Sequence, residues 1–251
     1  MISLKTKKQT QTMKEGGRIL SHVVNEVARS AKEGVVLRDL DELARKLIKS
    51  AGAEPAFLGY QPPWGGKAFP AAICTSINEV VVHGLPNERK LRSGDILTVD
   101  CGVSYRGFYT DMAVTVGIGD VSQEAQRLID RTRKILYLVI KECRVGKTLG
   151  DVGWMIEDTA KKNGLRPVKV LTGHGIGKKL HEDPTVFNWG ERGKGVKLEE
   201  GMTIAIEPML TVGQPDIVDT PAGVATKDGS ITAHFEHTVA VTKSGPLILT
   251  E

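Results

Sequence analysis

Four acidic residues, Asp100, Asp111, Glu207 and Glu236, lie inside short apolar stretches that read as strands or strand ends: VDCG, YTDMAV, AIEPM and HFEHTV. A histidine, His174, sits in the similar stretch GHGIG. A carboxylate taken out of water is costly unless it is protonated, paired or bound to a cation. A fold that gathers all four must therefore bring positive charge close to them. Two divalent cations would balance four carboxylates, and one imidazole would complete an open coordination shell. That balance points to a two-metal hydrolytic centre, in which paired ions hold and activate a water. The alternative is four unrelated acids at strand ends.

The 251 residues suffice for one large core or two fused half-domains. Hydrophobic content of 40% and charged content of 25% are those of an ordinary soluble globular protein. The net charge of +4 is slight, and the lysine clusters (Lys5, Lys7, Lys8; Lys194, Lys197) carry no interleaved aromatics. They read as solvated surface with a weak lean toward an anionic surface such as the ribosome, for transient contact, and not as a site for specific nucleic acid. MISLKTKKQTQTMKEGG has no apolar h-region, and no apolar run reaches the about 18 residues of a membrane span. Cys74, Cys101 and Cys143 are odd in number and widely spaced, which speaks against disulfides and zinc-thiolate sites. A cytoplasmic, reduced chain with no membrane association is expected, with monomer as the default state.

Thr12 and Glu15 fit a capping box, and Ile19, Leu20, Val23, Val24 and Val27 then recur at helical spacing to about Ala31. Leu40, Leu43, Ala44, Leu47 and Ile48 suggest a second helix stopped by Gly52. Strand-like segments follow: AAICTSI, EVVVHGL, DILTVDCGVSY and FYTDMAVTVGI, the last two joined by a hairpin turn at Arg106-Gly107. The order then repeats. Ser122 opens a helix, another runs from about Leu149 to Asn163-Gly164, and VKVLTGHG, GMTIAIEPML, SITAHFEHTVAV and PLILT read as strands. This predicts one α+β catalytic domain over 1–251, internally duplicated into lobes of about 12–120 and 121–251, with the site where they face each other.

Asp100 and Asp111, on strands joined by a hairpin, can sit side by side, an arrangement that is destabilising without a cation between them. His234 and Glu236 share one strand face. Pro208, lacking a donor, ends the ladder just after Glu207 and leaves that acid at the edge of a cleft. His83 and His181 each end an apolar or glycine-rich segment, which suits donors aimed at a substrate, although a lone histidine is more often a satisfied core or surface group. His22, on an amphipathic helix, reads as surface.

SINEVVVHGLP, GDILTVDCGV with FYTDMA, TGHGIGKKLHEDP, GMTIAIEP and TKDGSITAHFEHTV together resemble the methionine aminopeptidases, in particular the short bacterial type I form with the pita-bread fold. The resemblance spans nearly the whole chain and keeps the five ligands in family order. It implies two pseudo-symmetric helix-helix-strand lobes around curved antiparallel sheets, and removal of the N-terminal methionine from nascent chains and peptides with a small second residue. It also implies two divalent ions, with Asp100 on one, Asp111 and Glu236 bridging, and His174 and Glu207 on the other. Co, Mn, Fe and Zn all suit such ligands. His83 would contact the amide beyond the cleaved bond, His181 would stabilise the developing oxyanion, and Glu207 would shuttle a proton to the leaving amine. Tyr60, Phe69 and Cys74 would receive the methionine side chain. Asn78, Val80 and Thr232 match the family's site for a monovalent cation, Na or K.

The chain departs from the family pattern in three places. QPPWGGKAFPAA is long, so Trp64 is expected to form a lid over the pocket. TPAGVATKD lacks the family's frequent tryptophan, which Trp64 would replace. His234 stands where glutamine is common, and would either sit behind the metal ligands or be tolerated beside the cleft. The rival functions are a proline-specific peptidase of the prolidase or aminopeptidase P type, which shares ligands and fold, and a non-catalytic adaptor, which would not need all five ligands.

Overall fold

The computed structural model describes residues 2–61 and 67–251. It begins with helices α1 (Lys7–Ser30) and α2 (Leu37–Ser50), followed by strands β1 (Glu54–Pro55), β2 (Ile73–Ile77), β3 (Val80–Val82), β4 (Ile96–Tyr105) and β5 (Phe108–Gly117). Helices α3 (Gln123–Ile140) and α4 (Leu149–Lys162) come next, then β6 (Arg166–Pro167), β7 (Thr172–Gly175), β8 (Glu182–Phe187), β9 (Thr203–Ile206) and β10 (Met209–Thr211). The chain closes with β11 (Ile217–Thr220), β12 (Gly223–Thr226), β13 (Thr232–His234), β14 (Glu236–Thr242) and β15 (Gly245–Ile248). Among the described residues the main sheet runs β1-β4-β5-β14-β9-β7-β8, with β2 on β4 and β15 on β14; β13-β10-β6 and β11-β12-β3 form two smaller sheets.

Alternation along the central strands decides which side chains meet the helices. Leu97, Val99, Cys101 and Val103 of β4 join Met112 of β5 under α1 and α2, in a core with Leu20, Val23, Val24, Val27, Leu40 and Ile48. Val239 and Val241 of β14 and Ile204 and Ile206 of β9 pack with Leu128, Ile135, Val139, Val152 and Ile156 of α3 and α4. Because side chains on a strand alternate between faces, Asp100, Asp111 and Glu236 project from the face opposite the helices. An apolar half on each strand thus commits the acidic half to a common side.

Several sequence expectations shift by a few residues. The capping box of α1 is Thr6 with Gln9, not Thr12 with Glu15: Gln9 N donates to Thr6 Oγ1 (3.3 Å) and Thr6 N to Gln9 Oε1 (2.8 Å). Thr12 lies inside the helix, its hydroxyl donating to Lys8 O, an arrangement open to threonine in any helix. The strand-like segments at 201–210 and 230–241 each break, the first where Pro208 is expected to end the ladder. Glu207-Pro208 separates β9 in the main sheet from β10, and Phe235 separates β13 from β14. EVVVHGL ends as strand at Val82, because His83 adopts φ 59°, and VKVLTGHG is strand only from Thr172. The turn at Arg106 (φ 50°) and Gly107 (φ 79°) is a two-residue hairpin of the type whose central residues both have positive φ.

The chain end is tied into the site. Thr250 Oγ1 accepts from Thr238 N (3.2 Å), and Thr238 Oγ1 both accepts from Asp111 N (2.8 Å) and donates to Asp111 O (2.9 Å). Gly17 of α1 lies against this end: a Cβ there would come within 2.0 Å of Leu249 O. Alanine is favoured over glycine in a helix by about 1 kcal/mol, but no rotamer relieves a clash with backbone. Gly17→Ala is therefore expected to lower the urea midpoint, with a net loss of about 1–2 kcal/mol; a raised midpoint would show that α1 can shift off the chain end freely.

Candidate metal centre

Five elements supply the centre. Asp100 on β4 is opposed by Ala113, and Asp111 on β5 by Gly102, so the two acids are diagonal neighbours on one face and not directly opposite. Glu236 begins β14 beside Ala113. Glu207 follows β9, where Pro208 stops the ladder, and Asn188 Nδ2 holds its carbonyl at 3.1 Å. His174 lies on β7, whose Gly173 allows close approach to β9, since a Cβ there would meet Ala205 O at 2.3 Å. All five sequence-predicted ligands line one cleft. One oxygen or nitrogen from each of Asp111, His174 and Glu236 lies within 4.8 Å of the others, and so do those of Glu207, His234 and Glu236.

The electrostatics are those of a site built for cations. Asp100, Asp111, Glu207 and Glu236 are 9% exposed or less. Burial pushes the Asp100 carboxyl up to about 7. It raises Asp111, Glu207 and Glu236 well above the usual carboxylate range, with the neighbouring acids adding to the effect. Asp100 Oδ1, Glu236 Oε1 and both ring nitrogens of His234 have no hydrogen-bond partner. Buried polar atoms are almost always satisfied, so orphaned oxygens among crowded acids fit divalent ions. His174 Nδ1 lies 2.9 Å from Gly175 O. A carbonyl only accepts, so Nδ1 carries the proton and Nε2, 3.7 Å from Glu207 Oε1, presents its lone pair to the acids. Burial holds the His174 pKa down to about 4, which keeps that lone pair available.

A cleft of about 1100 Å³ opens over these residues. Tyr60, Phe69, Cys74, His83 and His181 line it, as expected from sequence, and Phe57, Leu180 and His234 line it too. Phe57 stands edge-on to Phe69 with ring centroids 6.3 Å apart. The aromatic in AFLGY, three residues before Tyr60, was the available signal for it. Cys74 is directly opposite Asp100 on β2, and burial raises its thiol well above the ordinary value, so it is a neutral wall group. The Tyr60 hydroxyl lies 2.6 Å from His181 Nδ1. Burial, with His174 and His83 close by, lowers the His181 pKa to about 3. His83 is open to the cleft, yet the surrounding protein desolvates it enough to lower its pKa as well. Its backbone is left-handed, and at the next residue, Gly84, a Cβ would strike Thr75 O at 2.2 Å. Thr232 Oγ1 lies 3.2 Å from Asn78 O and 3.1 Å from Val80 O, so the three residues expected at the monovalent site do meet. Trp64 lies outside the described residues, and His22 is exposed.

Residues 11–243 match the model of metallopeptidase family M24. The methionine aminopeptidase of Aquifex aeolicus is 44% identical over all of this chain and 99% of its own length, and that of Clostridium acetobutylicum 43% over 100% and 99%. The chain belongs to the methionine aminopeptidases of metallopeptidase family M24. The solved structure of the Thermotoga maritima methionine aminopeptidase superposes with a TM-score of 0.95 at 39% identity, covering both chains completely. The Pyrococcus furiosus prolidase shares the fold alone, with a TM-score of 0.80 at 21% identity over 65% of its length. The fold is thus the pita-bread arrangement, the proline-peptidase and adaptor readings are not favoured, and use of divalent metal follows from the family.

The raised carboxyl pKa values set a sign for stability. Without ions, each of these acids binds its proton more tightly folded than unfolded, so stability is greatest below the unfolded value near 4 and declines as pH rises through the folded ones, about 7 for Asp100. Chelator-treated protein is expected to lose melting temperature from about pH 5 to about pH 8, and added Mn²⁺ to restore most at the alkaline end. A pH-independent melting temperature without metal would show that the four acids are not held close.

Proposed function

We propose that the chain removes the N-terminal methionine from peptides and nascent chains through a pair of divalent ions held by Asp100, Asp111, His174, Glu207 and Glu236. The observation that carries this reading is the convergence of four buried carboxylates and an oriented imidazole at the floor of an apolar cleft. Asp100 would serve one ion, His174 and Glu207 the other, and Asp111 and Glu236 both. Co, Mn, Fe and Zn are all compatible with these donors, and carboxylate-rich ligation leaves the choice among them to supply. Bound there, the ions supply Lewis-acid polarisation of a carbonyl and lower the pKa of a nearby water toward neutrality.

The chain's own residues do the rest. Phe57, Tyr60, Phe69 and Cys74 form a soft, apolar wall suited to a thioether, and a free α-amino group, as the neutral amine, would complete the ligation of an ion, which restricts cleavage to chain ends. Glu207 takes the proton that the attacking water sheds and returns it to the amide nitrogen as it leaves. His181 is neutral at pH 7; with the Tyr60 hydroxyl donating to Nδ1, its Nε2 carries a proton and donates to the oxygen that gains charge. His83, held in an uncommon backbone conformation at the cleft wall, donates to the amide beyond the cleaved bond. A monovalent ion, Na or K, at Asn78, Val80 and Thr232 would tie β3 to β13 behind the site. The enzyme would work as a monomer in the cytoplasm, with transient ribosome contact through its lysine clusters. No helix of the described residues is long and apolar enough to cross a membrane.

Metal-stripped protein refilled with Mn²⁺ or Co²⁺ is expected to release methionine from Met-Gly-Met-Met and to leave Ala-Pro-Gly and an N-acetylated methionyl peptide intact. Preference for Ala-Pro-Gly would overturn the proposal. His181→Ala should lower kcat roughly 100- to 1,000-fold with KM nearly unchanged, because the donor acts on charge that develops after binding. Tyr60→Phe should fall between the two in kcat, since it removes the group that orients His181 and leaves His181 itself.

A further inference from the structure

The five ligands leave one side chain of the centre without a task. His234 ends β13, where its backbone is clamped: its N donates to Thr115 Oγ1 at 2.9 Å, and its O accepts from the same hydroxyl at 2.8 Å. It also faces Met209 across the β10–β13 pair. The imidazole therefore has little freedom to turn away. It is 2% exposed, and neither ring nitrogen has a hydrogen-bond partner. An imidazole nitrogen kept from water without a partner is destabilising, so the fold tolerates it only if something else engages it.

The distances indicate what. His234 Nε2 is 3.6 Å from Glu207 Oε2 and 3.8 Å from Glu236 Oε2. Both are too long for hydrogen bonds. Donors that share one ion, each about 2.1 Å from it, stand about 3 Å apart at right angles and about 4.2 Å apart when opposed. Both separations fall inside that window. So does the 3.7 Å between His174 Nε2 and Glu207 Oε1. Each oxygen of Glu207 thus has an imidazole nitrogen at the spacing expected of two ligands on a common cation.

We propose that His234 Nε2 is a further ligand of the ion held by His174 and Glu207, giving that position two imidazoles. This inference rests on the dinuclear reading above and adds a residue to it. Imidazole suits Fe, Co and Zn better than Mn, which prefers oxygen. The second imidazole therefore biases this position toward the nitrogen-seeking metals, while the position of Asp100 remains all oxygen.

The test is proton NMR of the Co²⁺-loaded enzyme in water. An imidazole bound through Nε2 keeps its Nδ1 proton, which gives a strongly shifted, solvent-exchangeable resonance. Two such resonances are expected in the unaltered enzyme and one in His234→Gln. Titration calorimetry of that variant should show one of the two Co²⁺ ions bound roughly 10-fold or more weakly, and a reduced preference for Co²⁺ over Mn²⁺. A single shifted resonance in the unaltered enzyme, with two ions bound and methionine released from Met-Gly-Met-Met, would overturn the ligand assignment and leave the proposed function standing. Failure to bind a pair of ions or to cleave that peptide would overturn both. The resonance count needs no variant, so it decides even if His234→Gln fails to fold.

Discussion

Crowding four carboxylates onto one face of an antiparallel sheet is the constraint from which the rest of the molecule follows. Mutual repulsion and loss of hydration both oppose it, and each buried charge costs several kcal/mol when unrelieved. Divalent ions, on the proposed reading a pair, would turn that cost into a binding site. The apolar alternate positions of β4, β5, β9 and β14 lock against two helix pairs and prevent the strands from rotating the acids outward. Helix packing on one face and metal affinity on the other are two consequences of one alternating pattern.

The same arrangement explains why the neighbouring groups stay neutral. Burial keeps His174, His181 and His234 deprotonated, at about 4, 3 and 3, and keeps the Cys74 thiol protonated. Neutral imidazoles can ligate or donate, whereas imidazolium ions would compete with the metals for the same carboxylates. A soft, uncharged wall above a floor of carboxylates and the ions they would hold suits a substrate whose first residue joins a thioether side chain to a free amine.

Much of this is legible in the sequence because the acids interrupt apolar runs, and period-two alternation by itself assigns them a face. Asp100, Asp111, His174, Glu207 and Glu236 stand out in that way, and the strand break at Pro208 follows from proline's missing donor. The break at Phe235 carries no such signal: nothing in AHFEHT marks a change of sheet, so β13 and β14 read as one strand. The start of α1 is ambiguous because Thr6–Gln9 and Thr12–Glu15 both fit a capping pattern, and only the turn geometry separates them. The diagonal register of Asp100 and Asp111 depends on the two-residue turn at Arg106-Gly107, which fixes Tyr105 opposite Phe108. His234 is visible as a neighbour of Glu236, but its orphaned nitrogens and its distance to Glu207 emerge only in the folded chain. Phe57 is signalled only by its place three residues before Tyr60, because a lone aromatic has no periodicity to betray its direction.

The most direct test of the central claim is native mass spectrometry of the intact chain saturated with Co²⁺, which counts the ions that the buried carboxylates retain. Two ions per chain are expected, both removed by chelator. A chain that holds one ion or none while releasing methionine at its full rate would contradict that claim, because four buried carboxylates would then have to be tolerated by some other means.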